Sequence, residues 1–404
     1  MQKYDVGIIG AGVSGVFAAS RAAEQHKDKK VILFDLGRPQ GKRRRQIEGF
    51  LGCFPTSDGK IYVNDIDQIL NVVDGRRANP ANNWVLKKLG EVNPMKVIKD
   101  KLPTIAIQKK IEAANFELQL NDYIQWKPES IHQLSKILGD EIDAAGNITF
   151  SFDNEVTKIL KQKSGFLITT AAEGDIFCKK IVLCVGRSGW RWVTKLYQDF
   201  GIVTQDNIAS YGITIEMSSS HLKDFNKSHC FLQKQDMEVG PFCWNGTVIP
   251  EDHADLVISA FRSNEDRWKS DKVSFQLIGY RNVKQNEGIY QTDRLGKLAF
   301  LLFNDRVGKE KVKLLLKGEC PLSQLPEYDW LKDSILELSE IMPAIISKAN
   351  FHTPTVLPMA AEIRLDSNLE SEVEDLFVAG ESANFRGILA AATSGTIAMD
   401  SACK

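Results

Sequence analysis

Short apolar runs that close on glycine mark this chain near both ends and once in between. Asp5-Val6-Gly7-Ile8-Ile9 has charge before it and glycine after it, the pattern of a buried parallel strand. The stretch Val16-Phe17-Ala18-Ala19-Ser20-Arg21-Ala22-Ala23 is rich in helix formers and predicts a helix. A second apolar run, Lys30-Val31-Ile32-Leu33-Phe34, predicts the next strand. Residues 66–120 read as helical and charged around a turn cluster, Asn79-Pro80-Ala81-Asn82-Asn83. From Pro128 to Leu138 apolar residues return at helical spacing. Asp175 to Val185 reads as a strand that closes on Gly186. Tyr211–Met217 and Ala254–Ala260 are strand-like, and 297–318 and 329–348 look helical. Finally, Asp375-Leu376-Phe377-Val378-Ala379 runs into Gly380, and an alanine-rich helix follows from Gly387 to about Ala402.

Composition narrows this picture. A length of 404 residues exceeds one ordinary core and points to two domains, or one with an insertion. The formal net charge of -1 points to neither a nucleic-acid partner nor an acidic substrate. Lys42-Arg43-Arg44-Arg45 is a local exception, read as a solvated loop or an anion contact. No apolar stretch reaches the roughly 20 residues that span a bilayer, and no signal peptide is read at the start. Seven scattered cysteines without a C-x-x-C pair suit neither a zinc site nor a disulfide framework, so a cytoplasmic location and no metal are expected.

The first glycines carry specific chemistry. Gly10-Ala11-Gly12-Val13-Ser14-Gly15 is a G-x-G-x-x-G set between a strand and a helix. Gly10 permits the tight turn, Gly12 lets backbone approach a pyrophosphate, and Gly15 lets helix and strand pack closely. The helix start at Val13 and Ser14 then offers unpaired N–H groups and a positive dipole end to phosphates. Asp35, about 20 residues on, is placed to accept both hydroxyls of an adenosine ribose and disfavours a 2′-phosphate.

Gly387-Ile388-Leu389 opens a second anion-facing helix start at the far end of the chain. With Gly380 and Glu381 before it, this segment resembles the closing FAD motif of the glutathione-reductase-like flavoproteins. The resemblance implies that Glu381 contacts the ribityl chain and that the helix start faces flavin N1 and C2=O; Glu stands where the family usually has Asp. Cys184-Val185-Gly186 resembles the family's Ala-Thr-Gly re-entry segment, and Asn154-Glu155-Val156-Thr157 the strand whose Val156 position bonds adenine through its backbone. FAD is thereby the implied cofactor.

A narrower likeness runs through the chain. Gly49-Phe50-Leu51-Gly52-Cys53-Phe54-Pro55-Thr56-Ser57-Asp58-Gly59-Lys60 is similar to the Ser-Asp-Gly-Lys stretch of a family described as uncharacterised FAD-utilising dehydrogenases. Gly186-Arg187-Ser188-Gly189-Trp190, Pro241-Phe242-Cys243-Trp244-Asn245-Gly246 and Leu357–Arg364 resemble further segments of it, without its consecutive glycines around Gly52 and Gly246. The implied fold is α/β: a Rossmann-like, three-layer ββα FAD-binding domain, assembled discontinuously from 1–60, 125–205 and 355–404. A helical insertion (61–124) and an inserted α+β substrate or cap domain (206–354) complete it. There is no second G-x-G-x-x-G and no C-x-x-x-x-C, which argues against a dedicated nicotinamide domain and thiol–disulfide chemistry.

Candidates for substrate chemistry are Lys60, Cys243 and His352, with Arg45 as a flavin or anion contact. The plainer readings are an inert buried thiol for Cys243 and a structural histidine for His352. The expected function is an FAD-dependent dehydrogenase or reductase moving a hydride between a small organic substrate and non-covalent FAD. Alternatives are a monooxygenase using NAD(P)H and O2, or a tRNA-modifying or structural FAD protein. Expected partners are the substrate and a transient NAD(P)H or other electron partner, with no nucleic acid and no membrane.

Overall fold

The computed structural model describes residues 2–43, 46–253 and 256–404. The chain forms two compact units: Met1–Val97, Ile124–Gln205 and Met359–Lys404 build the first, Ile98–Tyr123 and Asp206–Pro358 the second. The stretch 61–124, set apart above as a helical insertion, is therefore divided between them.

In the first unit, strand β1 (Lys3–Ile9) pairs in parallel with β2 (Val31–Phe34), and β2 with β3 (Ile148–Ser151). A hairpin of β4 (Val156–Gln162) and β5 (Gly165–Thr170) leads into β6 (Gly174–Leu183). The start of β6 pairs antiparallel with β5, while its end runs parallel to both β1 and β7 (Leu376–Val378). One strand thus belongs to a parallel sheet and to a meander.

The longer helices are α1 (Val13–Gln25), α2 (Gly75–Gly90), α3 (Pro128–Ala145), α4 (Trp190–Asp199) and α5 (Ile388–Ala402). Val6, Ile8, Val31, Leu33, Val182 and Phe377 share a core with α1, α2, α3 and α5. Their neighbours Tyr4, Ile9, Ile32, Phe34, Ile181 and Leu183 share another with the meander and α4. Burial on both faces explains why these strands read as unbroken apolar runs. The unit is a Rossmann-like α/β fold of three layers.

Helix α3 shows the local logic. Pro128 stands where a missing N–H costs nothing, Ile131, Leu134, Leu138 and Ile142 are buried, and left-handed Gly146 ends the helix. The cluster at Asn79–Asn83 corrects a sequence expectation, because it lies inside α2 rather than in a turn. Pro80 leaves only the carbonyl of Arg76 without an intrahelical donor, and both residues are exposed to water.

The second unit is built on a seven-stranded antiparallel sheet whose long strands are Ile208–Ser218 and Lys272–Asn282. Tyr211, Ile213, Ile215 and Met217 face an apolar core that includes Leu331, Ile335 and Leu338. Between them Thr214 and Glu216 are buried on the other face. Two expected helices are shorter than their patterns. The first begins earlier, at Gly288, and ends at Leu302, where Asn304 and Asp305 turn through φ values of 57° and 56°; Gly308–Lys311 then adds an edge strand and Val312–Lys317 is helical again. The other breaks after Ile341, just before Pro343, and resumes at Ile345–Lys348.

Candidate nucleotide-binding site

Three distant segments of the first unit meet at Ser14. The turn at Gly10 has φ +100°, and an added Cβ there would fall 2.6 Å from the Cys184 carbonyl oxygen. A Cβ on Gly380 would meet the Ser14 hydroxyl at 2.6 Å, and one on Gly395 would meet the Ser14 carbonyl oxygen at 2.1 Å. Glycine at these positions lets α1 and α5 cross backbone to backbone. Gly380 N–H donates to Ser394 Oγ at 3.0 Å, and Ser382 Oγ to the Val185 carbonyl at 2.7 Å. Asp400, on the last turns of α5, receives Arg21 in a two-point pair at 2.8 and 3.0 Å and lies 2.8 Å from His26, locking the two helices together.

The helix starts themselves hold open donors. The N–H groups of Gly12, Val13, Ser14 and Gly15, and of Gly387, Ile388, Leu389 and Ala390, donate to no other described residue. Two sets of orphan N–H groups with positive dipole ends therefore belong to one unit. An elongated anionic nucleotide such as FAD fits that donor set and the bare glycine backbone at Gly12.

Asp35 lies at the end of β2, but its carboxylate is largely occupied. It accepts from the N–H of Ala11 at 2.7 Å, Gly37 at 2.7 Å and Gly49 at 3.0 Å. Burial nevertheless raises its pKa against those donors. A carboxylate offers about four acceptor positions, so one is left where two ribose hydroxyls were expected. Val156 opens β4, and Val185 and Gly186 follow β6 after Cys184. Glu381 Oε1 is 2.7 Å from Arg187 Nε, which ties the closing motif to the re-entry segment.

Arg45 lies outside the described residues. Arg43 turns inward, donating to the Phe50 and Gln46 carbonyls at 2.8 Å each, and burial lowers its pKa. Lys60 Nζ stands 2.6 Å from Asp58 Oδ2, with both side chains nearly buried at 8% and 12% exposure. Cys243, in the second unit, is fully enclosed in the strand Met237–Trp244. His352, also in that unit, lies 3.5 Å from buried Glu216, which further pairs with Lys309 at 2.8 Å and Lys272 at 3.1 Å. Burial raises the Glu216 pKa, but the neighbouring His352 imidazole and hydrogen bonds from Lys309 and Lys272 outweigh it and hold the carboxyl far below its usual range. The described residues contain no cluster of three or more His, Cys, Asp or Glu that suits a metal ion, and no helix long and apolar enough to cross a membrane.

Sequence reasoning missed Arg187, Asp65 and Gln68. Arg187 was visible beside Gly186, whereas Gln68 has no local signal. Its amide donates to the Arg386 carbonyl at 2.9 Å and accepts from the Arg386 N–H at 2.8 Å, clamping the turn before α5. Gln68→Ala is expected to cost about 1–2 kcal/mol in urea denaturation and to speed hydrogen exchange at the Arg386 amide. An unchanged Arg386 exchange rate would refute the clamp.

No protein-family model and no curated protein matches the chain. Solved structures give distant likenesses. A flavoprotein/dehydrogenase from Cytophaga hutchinsonii shares 14% identity over 100% of this chain and 78% of its own, with a TM-score of 0.42. Glycine oxidase from Geobacillus kaustophilus shares 14% over 100% and 95%, at 0.41. PqsL from Pseudomonas aeruginosa, described as a probable FAD-dependent monooxygenase, shares 11% over 99% and 86%, at 0.44. Those values are too low for any of the three to lend its chemistry to this chain.

Proposed function

We propose that this chain is an FAD-dependent oxidoreductase, a dehydrogenase or reductase that moves a hydride between a small organic substrate and non-covalent FAD. The observation that carries this reading is that α1 at Ser14 packs backbone to backbone on Gly380 and on Gly395 of α5, in one unit whose two glycine-led helix starts each keep unused N–H donors. Gly12, Val13, Ser14 and Gly15 hold the pyrophosphate at the start of α1. Asp35 keeps that loop in shape and spares one acceptor position for the ribose. The Val156 backbone meets adenine, and Glu381, steadied by Arg187, meets the ribityl chain. Ile388 and Leu389, after Gly387, aim their N–H groups at the acceptor edge of the ring system. When bound, FAD supplies the two-electron chemistry, and the protein contributes position and electrostatics. Lys60, oriented by Asp58, handles charge in the first unit, while Cys243 and His352 remain candidates of the second. The near-neutral net charge favours a small-molecule substrate, with a soluble electron partner, over a nucleic acid.

The purified protein is expected to be yellow, with absorbance near ~450 nm from its flavin. Anaerobic reduction is then followed with NADH, NADPH and a metabolite panel. Rapid bleaching by a metabolite but not by NAD(P)H supports the dehydrogenase; bleaching by NAD(P)H alone counts against it. Glu381→Ala is expected to come off purification colourless yet folded, since its ion pair with Arg187 is partly exposed and worth under about 1 kcal/mol. Stoichiometric FAD retained in that variant contradicts the site.

A further inference from the structure

Asp65 sits in the single helical turn Val63–Ile66, three residues before the clamping Gln68. Its Oδ2 is shielded from water and meets no hydrogen-bond partner. The carboxyl presses on Gly387, where a Cβ would fall 1.8 Å from Oδ2 and where φ is +90°. The open N–H groups of α5 begin at this same glycine, yet none of them bonds Asp65. A carboxylate serving as a helix cap would accept at least one. Asp65 is therefore a shielded acid beside the ligand-facing helix start with no structural bond of its own.

Nearby charges do not compensate it. Lys60 is paired with Asp58, Asp67 is exposed, the first turn of α5 carries no titratable side chain, and Arg386 meets Gln68 through its backbone. Burial alone pushes the Asp65 pKa up to about 7. An ionised carboxylate at this position repels the same electron-rich acceptor that the helix start attracts. A ligand also covers whatever part of the carboxyl still meets water, which disfavours the anion further.

Resting on the flavin reading above, we propose that Asp65 is a ligand-facing acid that enters the complex protonated and donates a hydrogen bond to FAD at the start of α5, so that binding takes up a proton. The test titrates FAD into flavin-stripped full-length protein between pH 5.5 and 8.5. Flavin fluorescence reports affinity, and calorimetry in two buffers of different ionisation heat counts protons. For the native chain the Kd is expected to rise about eightfold from pH 7.5 to 8.5, to change little below pH 6, and to carry uptake of about one proton at pH 8. Asp65→Asn is expected to bind tightly with a flat profile and no uptake; Asp65→Ser, flat and weaker, guards against a misfolded Asn variant. A flat native profile, a slope retained in Asp65→Asn, or binding that tightens with pH overturns the proposal and leaves the flavin reading standing. Failure of the native chain to bind FAD at any pH removes both.

Ligand-free stability gives a second readout. The folded pKa lies above the ordinary 3.8, so the contribution of Asp65 is whole below 3.8 and lost as pH rises through about 7. Asp65→Asn is expected to melt further above the native chain at pH 8 than at pH 5. Equal shifts at the two pH values would contradict the raised pKa.

Discussion

Gly12→Ala is expected to leave the first unit folded and to abolish flavin retention, whereas Gly15→Ala is expected to unfold the same unit. The two glycines are three residues apart, but they answer to different neighbours. Gly12 has φ -65° and ψ -172°, and an added Cβ would find its nearest chain atom, the Cys184 carbonyl oxygen, at an ordinary 3.9 Å. Losing glycine at this helix cap costs about 1 kcal/mol or less. What the methyl group occupies is the approach that bare backbone offers to a pyrophosphate. A Cβ on Gly15, in contrast, would fall 1.8 Å from the Gly10 carbonyl oxygen and 3.4 Å from Cys184 Cβ. Neither backbone nor strand can yield that distance without losing the turn, a cost above the roughly 1–3 kcal/mol of ordinary overpacking. Urea denaturation and flavin absorbance on both variants separate the roles. A yellow Gly12→Ala protein would mean that the pyrophosphate does not lie there.

Asp35→Ala is expected to lower stability by about 3 kcal/mol or more and to strip the flavin as well. Its carboxylate takes the N–H groups of Ala11, Gly37 and Gly49, which pins the glycine turn to the loop after β2. Each buried donor left without a partner costs about 1–3 kcal/mol, with water recovering part of the sum. The measurement is the urea midpoint of the ligand-free variant. A change under about 0.5 kcal/mol would show that these bonds add nothing and would return Asp35 to a purely ligand-binding role.

The parallel strands were legible because both of their faces are buried, which leaves solid apolar runs that no surface requirement interrupts. The glycines were legible for a related reason: tight turns and close helix crossings exclude every side chain, and that exclusion acts at a single position. Patterns over longer windows misled where one residue outweighed them. Pro80 sits in a helix because the carbonyl it deprives is solvated, and Asn304 with Asp305 ends a helix that the apolar spacing would have continued.

By itself, the sequence determined the two glycine-led helix starts, the strands that feed them and the chain order in which they return. Only the tertiary structure decided what each charge does: Asp35 bonds its own loop, Lys60 answers Asp58, Arg43 turns inward and Asp65 is left shielded without a partner. The physical reason is range. A glycine requirement comes from sterics within a few bonds or one contact, and it shows in the residue itself. The state of a charge depends on burial and on partners far along the chain, as with Gln68 and Arg386 at a separation of 318 residues, and folding alone brings those together.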